Sequence, residues 1–480
     1  MARRSVVAVG TALVLLVAVS CSRPAVHTQR RAAAERGGSA ELQEQAEVTE
    51  HRLEALAEAR AGGTLRVRTR AIQLAPATAW AGERVMSATG DDWEPAIAAD
   101  PSAPYVYLLH NRYGGTPACP SNCPDPAMIV NVSSDGGTTF GPDAFICTCR
   151  TVGGQFDPII EVVRNTGTVY AVWMNDYNIV FSKSVNHGAT WTAPVPVYGN
   201  VSWTDKPELA TSANGNDVYV SFNGPTDGDP YVAVSHDAGA TWTQVKVTNS
   251  KRYYFEYGAA VVPSGTVVMS EISFTYTGPG GAAEGPVKIH VLRSTNGGAT
   301  WTDTVVDTLE LGTPCTSAGC YADFYDSGPA LAMDGGGNLV MVYSGAATAG
   351  GPRTVYARSS RNGGSTWGSR VQLSVSGVNS AFAATAGTGN GDVRVWFADQ
   401  RTGRWNTWYT SSTNLGTSWT TPVRISDATS GAVYKDSNGY TEVYGDYGEI
   451  AITNTGKTVA TWGEGISYNG PGGVWFNRQT

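Results

Sequence analysis

The chain has 480 residues, 41% of them hydrophobic and only 15% charged, with 57 Gly, 14 Trp and 22 Tyr. That composition suits many short strands joined by tight turns and argues against a disordered chain. The formal net charge of -8 supplies no basic footprint, which argues against nucleic acid as a partner.

The N-terminus reads as an export signal: Arg3 and Arg4, an apolar run from Val6 to Val19, then Ser20 and Cys21. The run is shorter than the roughly 20 residues of a membrane-spanning helix. Ala18-Val19-Ser20-Cys21 resembles the lipobox of bacterial lipoproteins, although that family prefers Leu where Ala18 stands. The resemblance implies acylation of Cys21, contact with a membrane through the lipid alone, and an extracellular or cell-surface protein. Ordinary cleavage nearby is the alternative, and Arg3-Arg4-Ser5-Val6-Val7 half-matches a twin-arginine signal. Residues 22–76 form a tether, within which Glu41 to Ala61 favours a helix by propensity. The apolar stripe of that helix (Leu42, Val48, Leu53, Leu56) is too thin to dock firmly.

From residue 77 to 480 the expected fold is all-β. Seven alternating hairpins follow one another, each an A and a B strand: Ala96–Ala99 with Tyr105–Leu109, Ile159–Val163 with Val169–Trp173, Glu208–Thr211 with Val218–Phe222, and Ala259–Val262 with Val267–Ser270. The series continues with Ala330–Met333 and Leu339–Tyr343, Phe382–Ala386 and Val393–Phe397, and Glu449–Thr453 and Val459–Trp462. A third strand, C, then leads into a recurring box, and a strand D follows it.

The box fits Ser-x-(Asp/Asn)-x-Gly-x-(Thr/Ser)-(Trp/Phe) at Ser133–Phe140, Ser184–Trp191, Ser235–Trp242, Ser294–Trp301, Ser360–Trp367 and Ser412–Trp419. Successive terminal aromatics are 51, 51, 59, 66 and 52 residues apart, the regime of stacked supersecondary units. Six boxes for seven hairpins has a physical explanation. Ala77 to Met86 looks like the end of a box and its strand D, and the last unit ends on a strand C at Val474–Asn477. Pairing the two would close a ring and protect both chain ends. A propeller of seven four-stranded blades is therefore expected, with six blades as the alternative.

Within the box, Asp or Asn can bond amides of its own turn and Gly supplies positive φ. Four of the six copies carry Asn, which cannot act as a carboxylate, so the box is structural. The pattern is similar to the Asp-box (BNR) repeat of sialidases and related propellers. That superfamily includes glycosidases, polysaccharide lyases, sorting receptors and assembly factors, so the resemblance implies the fold more than an activity.

Chemistry is expected at the opposite mouth. Before the A strands stand Glu94, Asp157, Asp205, Glu256, Asp326 and Asp446, beside Trp93, Phe156, Trp203, Phe255, Tyr325 and Tyr444; Asn111, Arg112, Asn175, Asn223, Glu271, Asp399 and Arg401 follow the B strands. Carboxylates there suit acid/base work on a glycosidic bond, and aromatics can stack on sugars. Capping or pairing between blades is the bland alternative for each acid.

The sialidase resemblance implies three arginines on a substrate carboxylate, a Tyr–Glu nucleophile pair and an Asp acid. Arg112, Arg252, Arg401 and Arg404 are available for the first, Glu256 with Tyr254 or Tyr257 for the second, and Asp92 or Asp205 for the third. No Arg-Ile-Pro motif stands near the first blade, so the triad does not transfer residue by residue. The expected catalytic set is Asp205, Glu256, Tyr257 and Asp446. Glu94, Arg112, Asp157, Arg252, Asp326, Arg401, Arg404 and Tyr444 are expected to bind substrate.

The functional expectation is a glycan-active, sialidase-like glycosidase working as a monomer. A polysaccharide lyase and a non-catalytic glycan- or protein-binding propeller are the alternatives. No cofactor is expected, although Asp227 and Asp229 could hold a structural calcium ion or simply form a polar turn. Cys119, Cys123, Cys147, Cys149, Cys315 and Cys320 read as disulfides in an exported chain, with zinc as the competing use. The six His are dispersed, and no Ser-His-Asp grouping is visible.

Overall fold

The computed structural model describes residues 57, 61, 77–86, 90–114, 124–146, 154–176, 178–202, 204–224, 228–248, 250, 252–276, 283–312, 328–403, 405–426, 435–436, 439–440, 448–464 and 473–480. All seven cysteines, including Cys21, lie outside them, as do Trp203, Asp227, Tyr325, Asp326, Arg404, Tyr444 and Asp446. The expected tether helix is represented by Ala57 and Ala61 alone, both helical.

Strand β1 (Arg84–Val85) precedes the first blade. Blade 1 is β2 (Asp91–Ala99), β3 (Val106–Tyr113), β4 (Ala127–Ser133) and β5 (Ala144–Phe145). Blade 2 is β6 (Gln155–Val162), β7 (Val169–Asn175), β8 (Ile179–Ser184) and β9 (Val195–Pro196), and blade 3 is β10 (Asp205–Thr211), β11 (Val218–Asn223), β12 (Pro230–Ser235) and β13 (Thr243–Lys246). Blade 4 is β14 (Tyr253–Val261), β15 (Val267–Tyr276), β16 (Ala283–Ser294) and β17 (Thr302–Leu309), and blade 5 is β18 (Ala330–Met333), β19 (Leu339–Ala346), β20 (Arg353–Ser360) and β21 (Val371–Gln372). Blade 6 is β22 (Ser380–Thr388), β23 (Asp392–Asp399), β24 (Asn406–Ser412) and β25 (Val423–Arg424). A small hairpin, β26 (Lys435–Asp436) with β27 (Gly439–Tyr440), comes next, and blade 7 is β28 (Gly448–Ile452), β29 (Thr458–Glu464), β30 (Gly473–Arg478) and β1.

The first strands of successive blades pack on one another in the order β2, β6, β10, β14, β18, β22, β28, and β28 returns to β2. The ring therefore has seven blades, and the six-blade alternative is overturned. Closure is the pairing anticipated from the missing box. Arg84 faces Phe476, Val85 faces Trp475, and Trp80 bridges to Gln479. Trp80 is only 5% exposed and meets Tyr409 of blade 6 edge-on at 5.0 Å.

Each box starts on the serine that ends strand C, at Ser133, Ser184, Ser235, Ser294, Ser360 and Ser412. In blade 4, Ser294 Oγ donates to Asn296 Oδ1 at 2.9 Å and accepts from the Gly298 amide at 2.9 Å, while Asn296 Oδ1 accepts from the Thr300 amide at 3.0 Å. The Asp version makes the same bonds. Desolvation raises the Asp135 carboxyl, but the combined hydrogen bonds from Thr139, Ser133 and Thr138 outweigh it and hold the group down at about 2.

The boxes also clasp their neighbours. Gly298 has φ 85, and a Cβ there would sit 2.7 Å from Val234 of blade 3, so a side chain is excluded on two counts. Long cations complete the latch: Lys183 Nζ donates to Ala238 O at 2.9 Å, Arg293 Nε to Gly363 O at 2.8 Å, and Arg84 to Gly137 O at 2.9 Å.

The core lies in the seams between blades. Tyr107 and Leu109 meet Val169, Ala171 and Trp173 between blades 1 and 2, and Val340, Val342 and Val355 meet Val393, Val395 and Phe397 between blades 5 and 6. This follows from strands that carry apolar residues on both faces.

In blades 1 to 4 the inner strands begin earlier than their apolar runs predicted, so Glu94, Asp157, Asp205 and Glu256, expected just before strand A, sit inside it. Register shifts occur at Trp93/Ala96, Phe156/Ile159, Asp205/Glu208 and Glu256/Gly258. At three of them Glu94, Asp157 and Lys206 take φ of 52, 53 and 50, each followed by Pro. A left-handed side-chain-bearing residue costs about 1–2 kcal/mol. Bulges re-aim side chains, and here they do so on the mouth side of the inner strands.

Candidate functional site

A cluster of buried polar groups lies at the seam between blades 3 and 4. Tyr219 shares a core cluster with Val267, Met269 and Leu292, so alternation turns Ser221 and Asn223 of β11 toward blade 4 and Glu271 and Ser273 of β15 toward blade 3. Asp205 stands opposite Asn223, Glu256 opposite Glu271, and Glu271 opposite His290. Strand β14 packs on both β10 and β11, which brings these rows together.

The cluster is buried, with Glu256 3% exposed and Asp205, Ser221, Asn223 and Glu271 at 0%. Both carboxyl oxygens of Glu256 and of Glu271, both amide atoms of Asn223 and Ser221 Oγ have no side-chain partner among the described residues. Glu256 leans only on its own backbone amide. Burial, then repulsion from Glu271 and from Asp205 and Glu208, pushes the Glu256 carboxyl well above its ordinary range. Burial, then Asp303, does the same to Glu271. A carboxyl shifted in this direction keeps its proton to higher pH than an exposed one, which is the direction a general acid requires.

A second acidic layer lines the central channel. Glu161, Glu208 and Glu449 project from the inner strands of blades 2, 3 and 7, all half-buried. Glu449 Oε2 accepts from the Ile97 amide of blade 1 at 2.6 Å, and Glu161 Oε1 accepts from Thr211 Oγ1 at 3.0 Å. Burial pushes Glu161 and Glu208 up to about 8 and Glu449 well above the carboxylate range; repulsion from Glu161 adds to the shift of Glu208, and repulsion from Glu208 and Glu161 adds to that of Glu449, whereas Thr211 and Arg164 act against the shift of Glu161.

The expected arginines among the described residues are used inside their own blades. Arg112 donates from Nε to Asp92 Oδ1 at 2.5 Å and from Nη2 to Asp92 Oδ2 at 3.0 Å, and it also pairs with Asp143. Asp92, a candidate acid, is thus held by that cation. Arg401 pairs with Asp399 at 2.5 Å and lies 3.9 Å over the Trp408 ring. Arg252 donates to Ser273 Oγ at 2.9 Å and to the carbonyls of Ser273 and Pro286 at 2.9 and 3.0 Å.

Glu94 Oε2 accepts from Asn111 Nδ2 at 2.6 Å and from the Asp157 amide at 2.9 Å, so it ties blade 1 to blade 2. Asp157 is 1% exposed in that joint. Asp229 pairs with Lys246 at 2.5 Å. Among the described residues no group of three or more His, Cys, Asp or Glu is arranged to hold a metal ion. Of the two tyrosines offered to Glu256, Tyr257 is the extra residue of the bulge and its ring lies against Gly328. The Tyr254 hydroxyl contacts Ser250 Oγ at 2.7 Å, and burial raises that phenol to about 12.

One sequence expectation is overturned outright. A Ser-His-Asp line does exist: Ser273 Oγ lies 2.7 Å from His290 Nε2, and His290 Nδ1 lies 2.7 Å from Asp303 Oδ1. These residues come from three strands paired side by side, so no spacing along the chain announces them. Glu161, Glu208 and Glu449 did carry a signal, an ionisable residue within or at the start of the apolar run of an inner strand.

No family model matches this sequence, and no curated protein matches it significantly. Solved structures to which this chain is similar include a Hadza microbial sialidase at 15% identity and a TM-score of 0.43, covering 81% of this chain and 65% of that one. This chain thus spans just under two thirds of that sialidase. They also include an ulvan lyase of polysaccharide lyase family 25 at 10% identity and a TM-score of 0.48, covering 80% of this chain and 93% of that one. An intramolecular trans-sialidase from Ruminococcus gnavus has 13% identity and a TM-score of 0.43, covering 84% of this chain and 96% of that one. The chain is a seven-bladed β-propeller whose neighbours include sialidase-type propellers, and the likeness transfers no residue role to it.

Proposed function

We propose that this chain is an exported, glycan-active enzyme of the Asp-box propeller type, a glycoside hydrolase with Glu256 as its acid and Glu271 as the partner carboxyl. One observation carries the reading: two directly opposed glutamates are enclosed in the seam with no side-chain partner. Apolar residues would be far cheaper there, since a buried ionisable group without a partner costs stability. A fold that keeps such a pair is retaining it for something other than stability. Sialosides are the first substrates to try, with Asp205, Asp446 and Tyr257 as their contacts.

The test is a broad glycan panel with purified protein and its Glu256→Gln variant. Cleavage by the wild type, lost in the variant while the thermal transition is kept, supports the reading; a panel without any cleavage ends it. A product with a new ultraviolet absorbance would instead mark a lyase. A second reading, a surface propeller that binds a glycan or protein without cleaving it, is favoured by the enclosure of the pair at 3% and 0% exposure. Binding on a glycan array by a protein that cleaves nothing would establish it. Residues 1–21 are proposed as the export signal, and labelled fatty acid should enter the wild type but not Cys21→Ser.

A further inference from the structure

We infer that Arg252, Ser273, His290 and Asp303 form a directional hydrogen-bond relay that holds the His290 ring as its Nδ1–H tautomer beside Glu271. The assignment rests on counting donors. Arg252 can only donate, so its Nε–H makes Ser273 Oγ an acceptor at 2.9 Å. The serine hydrogen is then free to point at His290 Nε2, 2.7 Å away, and that nitrogen must offer its lone pair. The other nitrogen, Nδ1, carries hydrogen and donates to Asp303 Oδ1 at 2.7 Å. Every hydrogen in the row finds an acceptor in this order. A proton on Nε2 would leave Ser273 Oγ accepting twice and its own hydrogen with no acceptor in the row.

The row is enclosed at its centre, with Ser273 0% and His290 3% exposed, and it emerges at Asp303, whose side chain is 21% exposed. Tyr254 meets the imidazole edge-on at 5.1 Å and limits its rotation. His290 is the ladder partner of Glu271, so an ordered imidazole fixes one wall around that carboxyl. The relay therefore makes Ser273 and His290 positioning residues for the carboxyl pair, and Arg252 an internal lock instead of a substrate contact. This last step rests on the function proposed above; the tautomer does not.

The experiment is a long-range proton–nitrogen spectrum of the histidine side chains in the full chain, with His290 assigned by its loss in His290→Gln. A protonated Nδ1 and a bare Nε2 are expected in the wild type, and a mixture of tautomers in Ser273→Ala. Arg252→Lys, which keeps a donor, should preserve the wild-type pattern more closely than Arg252→Met. A proton on Nε2 in the wild type, or a Ser273→Ala spectrum unchanged from it, overturns the relay. Where a cleaved glycan is known, Ser273→Ala should lower kcat on the order of tenfold to a hundredfold with KM held, as loss of an outer hydrogen-bond partner does in other sites. The wild-type tautomer pattern with undiminished kcat would keep the lock and overturn its role in positioning.

Discussion

Replacing Glu208 by Gln removes one ionisable group from the acidic channel while keeping its shape. Burial pushes this carboxyl up to about 8 from an ordinary 4.5, and Glu161 adds to the shift by repulsion. The sign follows from proton counting. Between those two values the folded protein holds a proton that the unfolded chain has released, so stability falls as pH rises through the window. The slope is at most about 1.36 kcal/mol per pH unit, which bounds the penalty near 3 kcal/mol at pH 7. Glu208 is half-buried against a channel, and solvent there reduces the figure to about 1–2 kcal/mol. Urea unfolding of wild type and Glu208→Gln at a series of pH values from about 5 to about 8 should show the variant gaining as pH rises. A difference that stays constant across the series, or that turns against the variant, would refute the electrostatics assigned to the channel.

Removing Arg112 should unfold rather than disarm the protein. Asp92 is 1% exposed and would lose its cation in Arg112→Ala, a change worth about 3–5 kcal/mol at buried pairs, read as a lower thermal midpoint. An unchanged midpoint with a raised KM for an anionic glycan would return Arg112 to the substrate site. Trp80→Ala opens the ring closure and should cost about 3–5 kcal/mol, as large-to-small changes in cores do. Hydrogen exchange should then rise first in β30, the partner of the closing strand; uniform loss of protection across all blades would contradict a local latch.

Much of the architecture was legible because it is local. Ser294, Asn296, Gly298 and Thr300 lie within one turn, their bonds are made inside it, and six copies repeat the chemistry at near-constant spacing. The absence of a seventh box in the sequence points to the pairing of the segment holding Arg84 and Val85 with the C-terminal strand. Strand starts were less legible. Asp91, Gln155 and Tyr253 begin inner strands whose first halves are polar or aromatic, so an apolar alternation pattern misses them. The site was half legible. Glu256 and Asp205 stood out by type, whereas Arg112 and Arg401 looked like substrate contacts until Asp92 and Asp399 were found beside them.

By itself the sequence determined the all-β repeat, its structural boxes and the way the ring closes, since each depends on residues a few positions apart or on a count along the chain. Which carboxyls share a seam, which arginines are already paired, and that Ser273, His290 and Asp303 stand in line were decided by the tertiary structure alone. Their partners lie on neighbouring strands or blades, and burial there, which moves their protons, is set by how the sheets pack and leaves no periodic trace in the chain.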